Sequence, residues 1–421
     1  MADPRPPLTA TTRSGLGGDA RRLFAARVAM SAARVLAAIV VPIDLAQHGF
    51  GPVALGELFV VVGGVSALLS VGVGLLADRV GRKPFLVGLP ILTAVAAGLF
   101  PFSHSPVPVF LLAAVGSFGR GSGAGAGVVG PYYPAEQALL SDIASPGRRT
   151  ALFGIMSSGA ALGALLGSLA AVGLPMVART HGGGPTPTEV AFLGIGLAAL
   201  VAGLVVLPIR DRRPPPRRPG SRRRVLSRTG RRLVARLWLT NGINGVAVGL
   251  FAPFVTYWFY RRFGAGPAAI GQLYAAINLV SILSNLSAAR IARRLGTVRA
   301  IFVARLLQGA LLVPMALAPT FWAAGAIYLV RMLVQRVGLP LRQSYVMGVA
   351  DPEERAGVAG LSNVASQVTV AVSPLLAGDL FATASLALPF ELAGVLQLLN
   401  ALLFNQLFRH LPPEEERPPG P

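Results

Sequence analysis

Gly74-Leu75-Leu76-Ala77-Asp78-Arg79-Val80-Gly81-Arg82-Lys83 is a short charged stretch between two long apolar runs. Arg79, Arg82 and Lys83 cannot enter hydrocarbon cheaply, so the stretch reads as a tight turn at a membrane surface joining two spanning helices. Gly81 permits a sharp reversal. Gly74, lacking a side chain, lets the preceding helix approach a neighbour closely. Asp78 places an anion at the end of that helix, where it can meet the positive N-terminus of another.

Composition agrees with a membrane solvent. Of 421 residues, 53% are apolar types, 13% are charged, and the mean hydropathy is +0.63. A soluble chain of this size needs more polar surface, so the class is all-α integral membrane. Cysteine is absent, which excludes disulfides, thiolate metal sites and cysteine nucleophiles. His48, His104, His181 and His410 lie at or beyond the ends of apolar runs and do not cluster as metal ligands. No Gly-x4-Gly-Lys-Ser/Thr phosphate loop is present, so neither ATP hydrolysis nor any other enzymatic site is expected, and no cofactor. The glycine-rich stretch from Gly119 to Gly130 lies within an apolar run and reads as helix packing. The net charge of +21 does not mark a nucleic-acid partner, because it concentrates in loops on one side of the spans. All basic residues but Lys83 are Arg, which points to GC-rich coding and not to function. Met1 to Gly18 has no apolar core, so no processed signal peptide is expected.

A spanning helix needs ~20 mainly apolar residues. Twelve such runs are expected. The first six are Leu23–Gln47, Val53–Ala77, Pro84–Phe102, Val107–Gly130, Thr150–Ala178 and Val190–Ile209. The second six are Leu233–Tyr260, Ala268–Ala289, Val298–Leu317, Phe321–Tyr345, Gly357–Phe381 and Leu386–Phe408. Arg179, Arg261 and Arg262 fall on one side of these spans. The other side takes Arg79, Arg82, Lys83, Arg148, Arg149, Arg290, Arg293, Arg294, Arg299 and Arg355. That side is read as cytoplasmic, with both termini on it, in a multi-pass protein of the cytoplasmic membrane. The organisation is a tail over 1–22, a six-helix bundle over 23–209, a linker over 210–232, a second bundle over 233–408 and a tail over 409–421. The linker holds eleven Arg, one Asp and four Pro, so it resists helix and stays solvated. It can also attract anionic lipid head groups.

The halves repeat. Ala144-Ser145-Pro146-Gly147-Arg148-Arg149 leads into Gly154, and Ala350-Asp351-Pro352-Glu353-Glu354-Arg355 leads into Gly360, each matched pair 206 residues apart. Ala292-Arg293-Arg294-Leu295-Gly296 echoes Ala77-Asp78-Arg79-Val80-Gly81. Two related bundles imply a pseudo-two-fold axis along the membrane normal, with a substrate site at their interface.

The opening decapeptide fills every position of Gly-x-x-x-Asp-Arg-x-Gly-Arg-Lys. It resembles the signature of the major facilitator superfamily, in the loop joining that family's second and third helices. The resemblance implies twelve helices in two bundles and transport by alternating access. It also implies a gate in which the loop acid meets basic residues and the N-terminus of the eleventh helix, which starts here near Gly357. Gly74, Asp78, Arg79, Gly81, Arg82 and Lys83 would form that gate, with Glu136, Asp142, Arg149 and Arg355 as its charged partners. The second-half copy has Arg293 where the acid should stand, so the first copy is expected to carry the gate. Gly154, Gly163 and Gly167 in the fifth run resemble the family's antiporter motif in part: Ser168 replaces its Pro, and Ala171-Val172 replace its Gly-Gly. Pro374 in the eleventh run allows a bend, and packing of helices 5 and 8, or 2 and 11, is expected from these small residues.

Charge placed inside the spans is the other pointer. Arg34 and Arg331 fall near mid-membrane by the ~1.5 Å rise per residue, and Arg120 somewhat below. Arg305 and Arg336 lie nearer the cytoplasmic face and read as snorkelling or gate residues. In the family, helices 1, 4, 7 and 10 line the central cavity. The resemblance therefore implies a substrate site from Arg34, Arg120, Asn241, Asn244, Tyr257, Trp258 and Arg331. Arg120 also resembles a helix-4 arginine linked to proton transfer in the family's antiporters. Proton coupling needs a sheltered carboxylate that loads and unloads near neutral pH, and Asp44, with His48 one turn on, and Glu57 are the first candidates. Asp379 and Glu391 are weaker ones. The expected function is proton-coupled export of a small organic compound by a monomer, with the proton and membrane lipids as partners and no nucleic acid. Two alternatives stay open: import of a small organic anion, which the arginines would suit, and a transporter-like scaffold or receptor that does not transport.

Overall fold

The computed structural model describes residues 17–103, 105–118, 130–143, 149–179, 186–209, 227–284, 296–351 and 354–411, and among these it is helical apart from turns. In the first half α1 is Gly18–Gln47, α2 Pro52–Val80, α3 Lys83–Leu99, α4 Pro106–Gly116, α5 Tyr132–Ile143, α6 Arg149–Arg179 and α7 Pro187–Val206. In the second half α8 is Arg228–Phe251, α9 Val255–Phe263, α10 Pro267–Ser284, α11 Thr297–Ala310, α12 Leu312–Leu317, α13 Phe321–Val349, α14 Arg355–Thr383 and α15 Leu388–Phe408. Short 3-10 turns continue α3 over Phe100–Phe102 and join α8 to α9 over Ala252–Phe254.

Local chemistry sets these limits. Proline stands in the first turn of α2, α3, α4, α7 and α15, where its missing N–H is an orphan donor anyway. Thr186 and Glu189 form a reciprocal capping box on α7. Ser227 caps α8 by accepting from the Gly230 N–H at 3.0 Å. Gly264 ends α9 at φ +64°. Gly81 takes φ +106° between α2 and α3, a backbone conformation that side chains rarely tolerate.

Nine described spans are long and apolar enough to cross a bilayer. The others are recognisable but fail on length or charge. Residues 119–129, between α4 and α5, lie outside the described set, and so do residues 285–295 after α10. α13 carries Arg331, Arg336 and Arg342 along 29 residues. Large apolar side chains, such as Leu92, Val95, Leu193, Leu197, Leu399 and Leu402, are exposed on the outer faces of these helices. Such surface suits lipid and would be untenable in water.

The packing repeats between halves. In the first half, α1 lies on α6 and α7, α3 lies on α7, and α2 lies on α4. In the second, α8 lies on α14 and α15, α11 lies on α15, and α10 lies on α13. The same six-helix pattern is thus built twice. The halves meet through α2 on α14 and α6 on α10, pairs that exchange under the pseudo-two-fold.

The apolar core shows how the halves stand. At the end away from the Arg82–Lys83 turn, one continuous cluster joins Val41, Phe59 and Leu174 of the first half with Phe254, Ile270 and Phe381 of the second. At the arginine-rich end the core divides in two. Leu23, Leu86 and Leu140 belong to one cluster, and Leu237, Ile301 and Tyr345 to the other. The molecule is therefore closed at one end and parted at the other.

Candidate functional site

At the closed end the seam is tight. A Cβ placed on Gly56 of α2 would lie 2.5 Å from the Pro374 carbonyl oxygen of α14, and one on Gly378 would lie 2.5 Å from the Pro52 carbonyl oxygen. Phe59 of α2 meets Phe254 edge-on, with ring centroids 5.1 Å apart. Thr256 donates to the Ala38 carbonyl of α1 at 3.1 Å and pairs with the Tyr274 hydroxyl at 3.0 Å. At the parted end, Gly74 of α2 and Gly360 of α14 have open space where a side chain would stand. Gly74 therefore makes no close approach among the described residues, contrary to the expectation from sequence, because it lies on an exposed face of α2.

Beyond Gly81, the gating residues have these positions. Arg82 is buried, and its Nη1 donates to the Ala138 carbonyl of α5 at 2.6 Å, tying the turn to the fourth span. Lys83 opens α3 and is half-buried. The side chains of Asp78, Arg79, Asp142, Arg149 and Arg355 lie outside what the structure describes, as does all of Arg120. Glu136 does not stand where a gate partner would. It is fully buried, and among the described residues its ion partner is Arg27 of α1. The correction follows from helix geometry. Glu136 lies about two turns from the end of α5, deep enough to face α1 and not the surface. The Arg27 guanidinium also sits 5.2 Å from the Tyr133 ring centroid, and Arg34 lies within electrostatic reach of the same carboxylate.

The substrate-site candidates divide. Arg34 is half-buried, and its Nη2 would stand 2.7 Å from a Cβ on Gly130, where the chain enters α5 at φ +122°. Asn241 is buried and donates to the Ser362 carbonyl of α14 at 2.9 Å, so it ties α8 to α14. Asn244, half-buried, accepts from Gln397 of α15 at 3.5 Å. Tyr257 packs edge-on to Phe254 and Phe381 at the closed seam. Trp258 is wholly buried among Phe259, Phe263 and Phe390, inside the second bundle. An aromatic residue on a cavity-lining helix can equally face its own bundle, and here it does. Arg331 is 1% exposed, with its guanidinium 4.1 Å from the Phe251 ring centroid.

Among the coupling candidates, Asp44 is buried and lies 3.4 Å from His48 Nδ1. Glu57 is exposed, and with His48 it lines a groove of about 690 Å³ between α2 and α4, walled by Phe50, Val61 and Phe110. An exposed carboxylate lacks the shelter that coupling needs. Asp379 is exposed and Glu391 half-buried, both at helix ends. Arg305 does not snorkel. It is buried, donates to Asn400 Oδ1 at 2.8 Å and lies over the Phe404 ring.

The small residues of α6 serve two partners: Ser168 and Ala171 meet Gly271 of α10, the expected packing of the fifth and eighth spans, while its glycines turn to α1. Gly163 and Gly167 press against the Val28 and Ala32 carbonyls of α1, while Gly154 faces open space. Gly163→Leu is expected to cost about 1–3 kcal/mol by overpacking, and Gly154→Leu to stay within about 0.5 kcal/mol. Thermal unfolding of both purified variants checks the contrast.

The family model described as Major Facilitator Superfamily matches residues 23–335, and again residues 237–421. The chain belongs to the major facilitator superfamily. The second match begins near the start of α8, where the six-helix pattern starts again. A multidrug resistance protein MdtG of Dickeya zeae is 28% identical over 357 residues, covering 82% of each chain. The MdtG of Enterobacter lignolyticus is 25% identical, covering 80% of this chain and 78% of its own. Among solved structures, a bacterial homolog of the human lysosomal transporter Spinster, inward-facing and occupied, superposes with a TM-score of 0.70. It is 16% identical, over 95% of this chain and 98% of that one, a likeness of fold. The superfamily signature marked the turn at Gly81. It gave no signal for Arg27, although Arg27 and Arg34 stand seven residues apart, on one face of α1.

Proposed function

We propose that the chain is a secondary transporter that exports a small organic compound from the cytoplasm, driven by protons. The observation that carries this reading is the divided core. One apolar cluster seals both halves at one end, and two separate clusters part at the other. A superfamily member closed at one end and parted at the other is one of the two states alternating access requires. The arginine bias makes the parted end cytoplasmic and puts both termini there. The bundles over 23–209 and 233–408 would rock about the seam, with the linker over 210–232 as a solvated tether. Export is favoured over import by the multidrug resistance names of the MdtG relatives. Asp44 is the candidate for an outward-side proton site, since it is buried and paired with His48 near the closed end.

The test is flux. In inside-out proteoliposomes carrying an imposed pH gradient, acid inside, at least one member of a panel of fluorescent drug-like probes, anionic and cationic, is expected to accumulate. Collapse of the gradient by an ionophore should abolish accumulation. Accumulation of a compound panel at the rate of protein-free liposomes, with binding retained, would establish the scaffold reading instead.

A further inference from the structure

The second half holds its buried arginines without acids. The acidic residues of the bundle over 233–408 are Asp351, Glu353, Glu354, Asp379 and Glu391, all within about a turn and a half of a helix end or in a loop. Arg305 answers this with Asn400 and Phe404. Arg331 does not. Only its Nη1 has a described hydrogen bond, to Gln335 Oε1 at 3.2 Å, one turn along α13. Nε and Nη2 are buried and have no hydrogen-bond partner among the described residues.

Those two nitrogens are not arbitrary. Nε–H and the adjacent Nη2–H form one edge of the planar guanidinium, two parallel donors spaced to meet both oxygens of a carboxylate. Gln335 occupies the other end and fixes the plane, and the Phe251 ring covers a face. An idle pair of charged donors, sheltered from water, is costly to leave unmade. Arg331 stands ten residues into α13, about 15 Å along its axis, hence near mid-membrane. Phe251 stands where α8 gives way to the 3-10 turn Ala252–Phe254, so the seam beside the fork lies at a break in the seventh span.

We propose that the Nε/Nη2 edge of Arg331 binds a carboxylate carried by the transported compound, making the substrates organic acids. This rests on the transport reading above. In the conformer described, the fork is closed off from solvent, so the acid is engaged in another conformer of the transport cycle. Gln335 and Phe251 are positioning residues, since they orient the guanidinium and leave its bidentate edge free.

The experiment measures binding to the full-length protein in zwitterionic-lipid nanodiscs by calorimetry. The probes are three compounds of matched shape: 1-naphthoate, 1-naphthamide and 1-naphthyltrimethylammonium. Naphthoate is expected to bind at least about 10-fold more tightly than either partner, from the added charge-assisted pair. Arg331→Gln should weaken naphthoate by roughly 10- to 100-fold and leave naphthamide unchanged. Arg331→Lys, which keeps the charge without the fork, should recover only part of the loss, and it serves if the Gln variant does not fold. Arg305→Lys is the control and should leave the naphthoate preference intact. Equal binding of the three probes, no naphthoate binding, or a naphthoate preference that survives both Arg331 changes would overturn the proposal. Flux separates it from the transport reading: carboxylate-selective binding without transport leaves the site standing, and transport of the cation alone removes only the site.

Discussion

Arg27→Leu is expected to destabilise the protein by roughly 3–5 kcal/mol, the largest stability effect of any single change considered. Glu136 is fully buried between α1 and α5, and Arg27, 5% exposed, is its ion partner. Removing the guanidinium leaves a carboxylate that water cannot reach and that must be neutralised or drag the helices apart. The double change Arg27→Leu/Glu136→Leu should recover most of the loss, because a buried pair replaced by apolar side chains of similar volume is often neutral. Arg27→Lys should fall between, since it keeps the charge but loses the planar contact with Tyr133. Thermal unfolding of the parent, Arg27→Leu, Glu136→Leu and the double variant in one detergent gives the cycle, with Arg27→Lys measured beside it. A single variant as stable as the parent would show that the pair is not what holds α1 to the fourth span.

Sequence made the helices legible and left their faces ambiguous. The expected runs end at Gln47, Leu317 and Phe408, as the helices do, since a bilayer sets span length and proline and glycine mark the ends. The open space beside Gly74 was not legible, because the spacing of a small residue does not say which face of its helix meets a neighbour. Depth along a helix is read by counting residues. Azimuth depends on how helices rotate against one another. Trp258 therefore turned inward to Phe390, and Asn241 turned to the Ser362 carbonyl, where a cavity-facing position was expected. Glu136 misled by its depth: it lies about two turns inside the end of α5, where it meets Arg27 of α1. The glycines of α6 carried a packing signal whose partner, α1, no spacing could name.

Gly56→Leu is expected to turn the conformational balance over. The position sits where α2 crosses α14 at the sealed end, against the Pro374 carbonyl. A leucine there cannot be accommodated by rotamer choice, because the obstacle is backbone. Overpacking costs about 1–3 kcal/mol, and the strain vanishes if the halves part at that seam. The same energy is a factor of roughly 5 to 150 in the ratio of the two conformers. Stability should therefore fall little while transport falls steeply, since the wedged protein cannot reseal that end. The absence of cysteine gives a clean background for labelling. Ala377→Cys, at a position fully buried beside the seam, should react with a water-soluble maleimide much faster in the Gly56→Leu protein than in the parent. His410→Cys, on the exposed end beyond α15, should react equally in both. Unchanged protection of position 377, together with normal flux, would mean that the α2–α14 crossing is not the seal, and the divided core would then need another origin than alternating access.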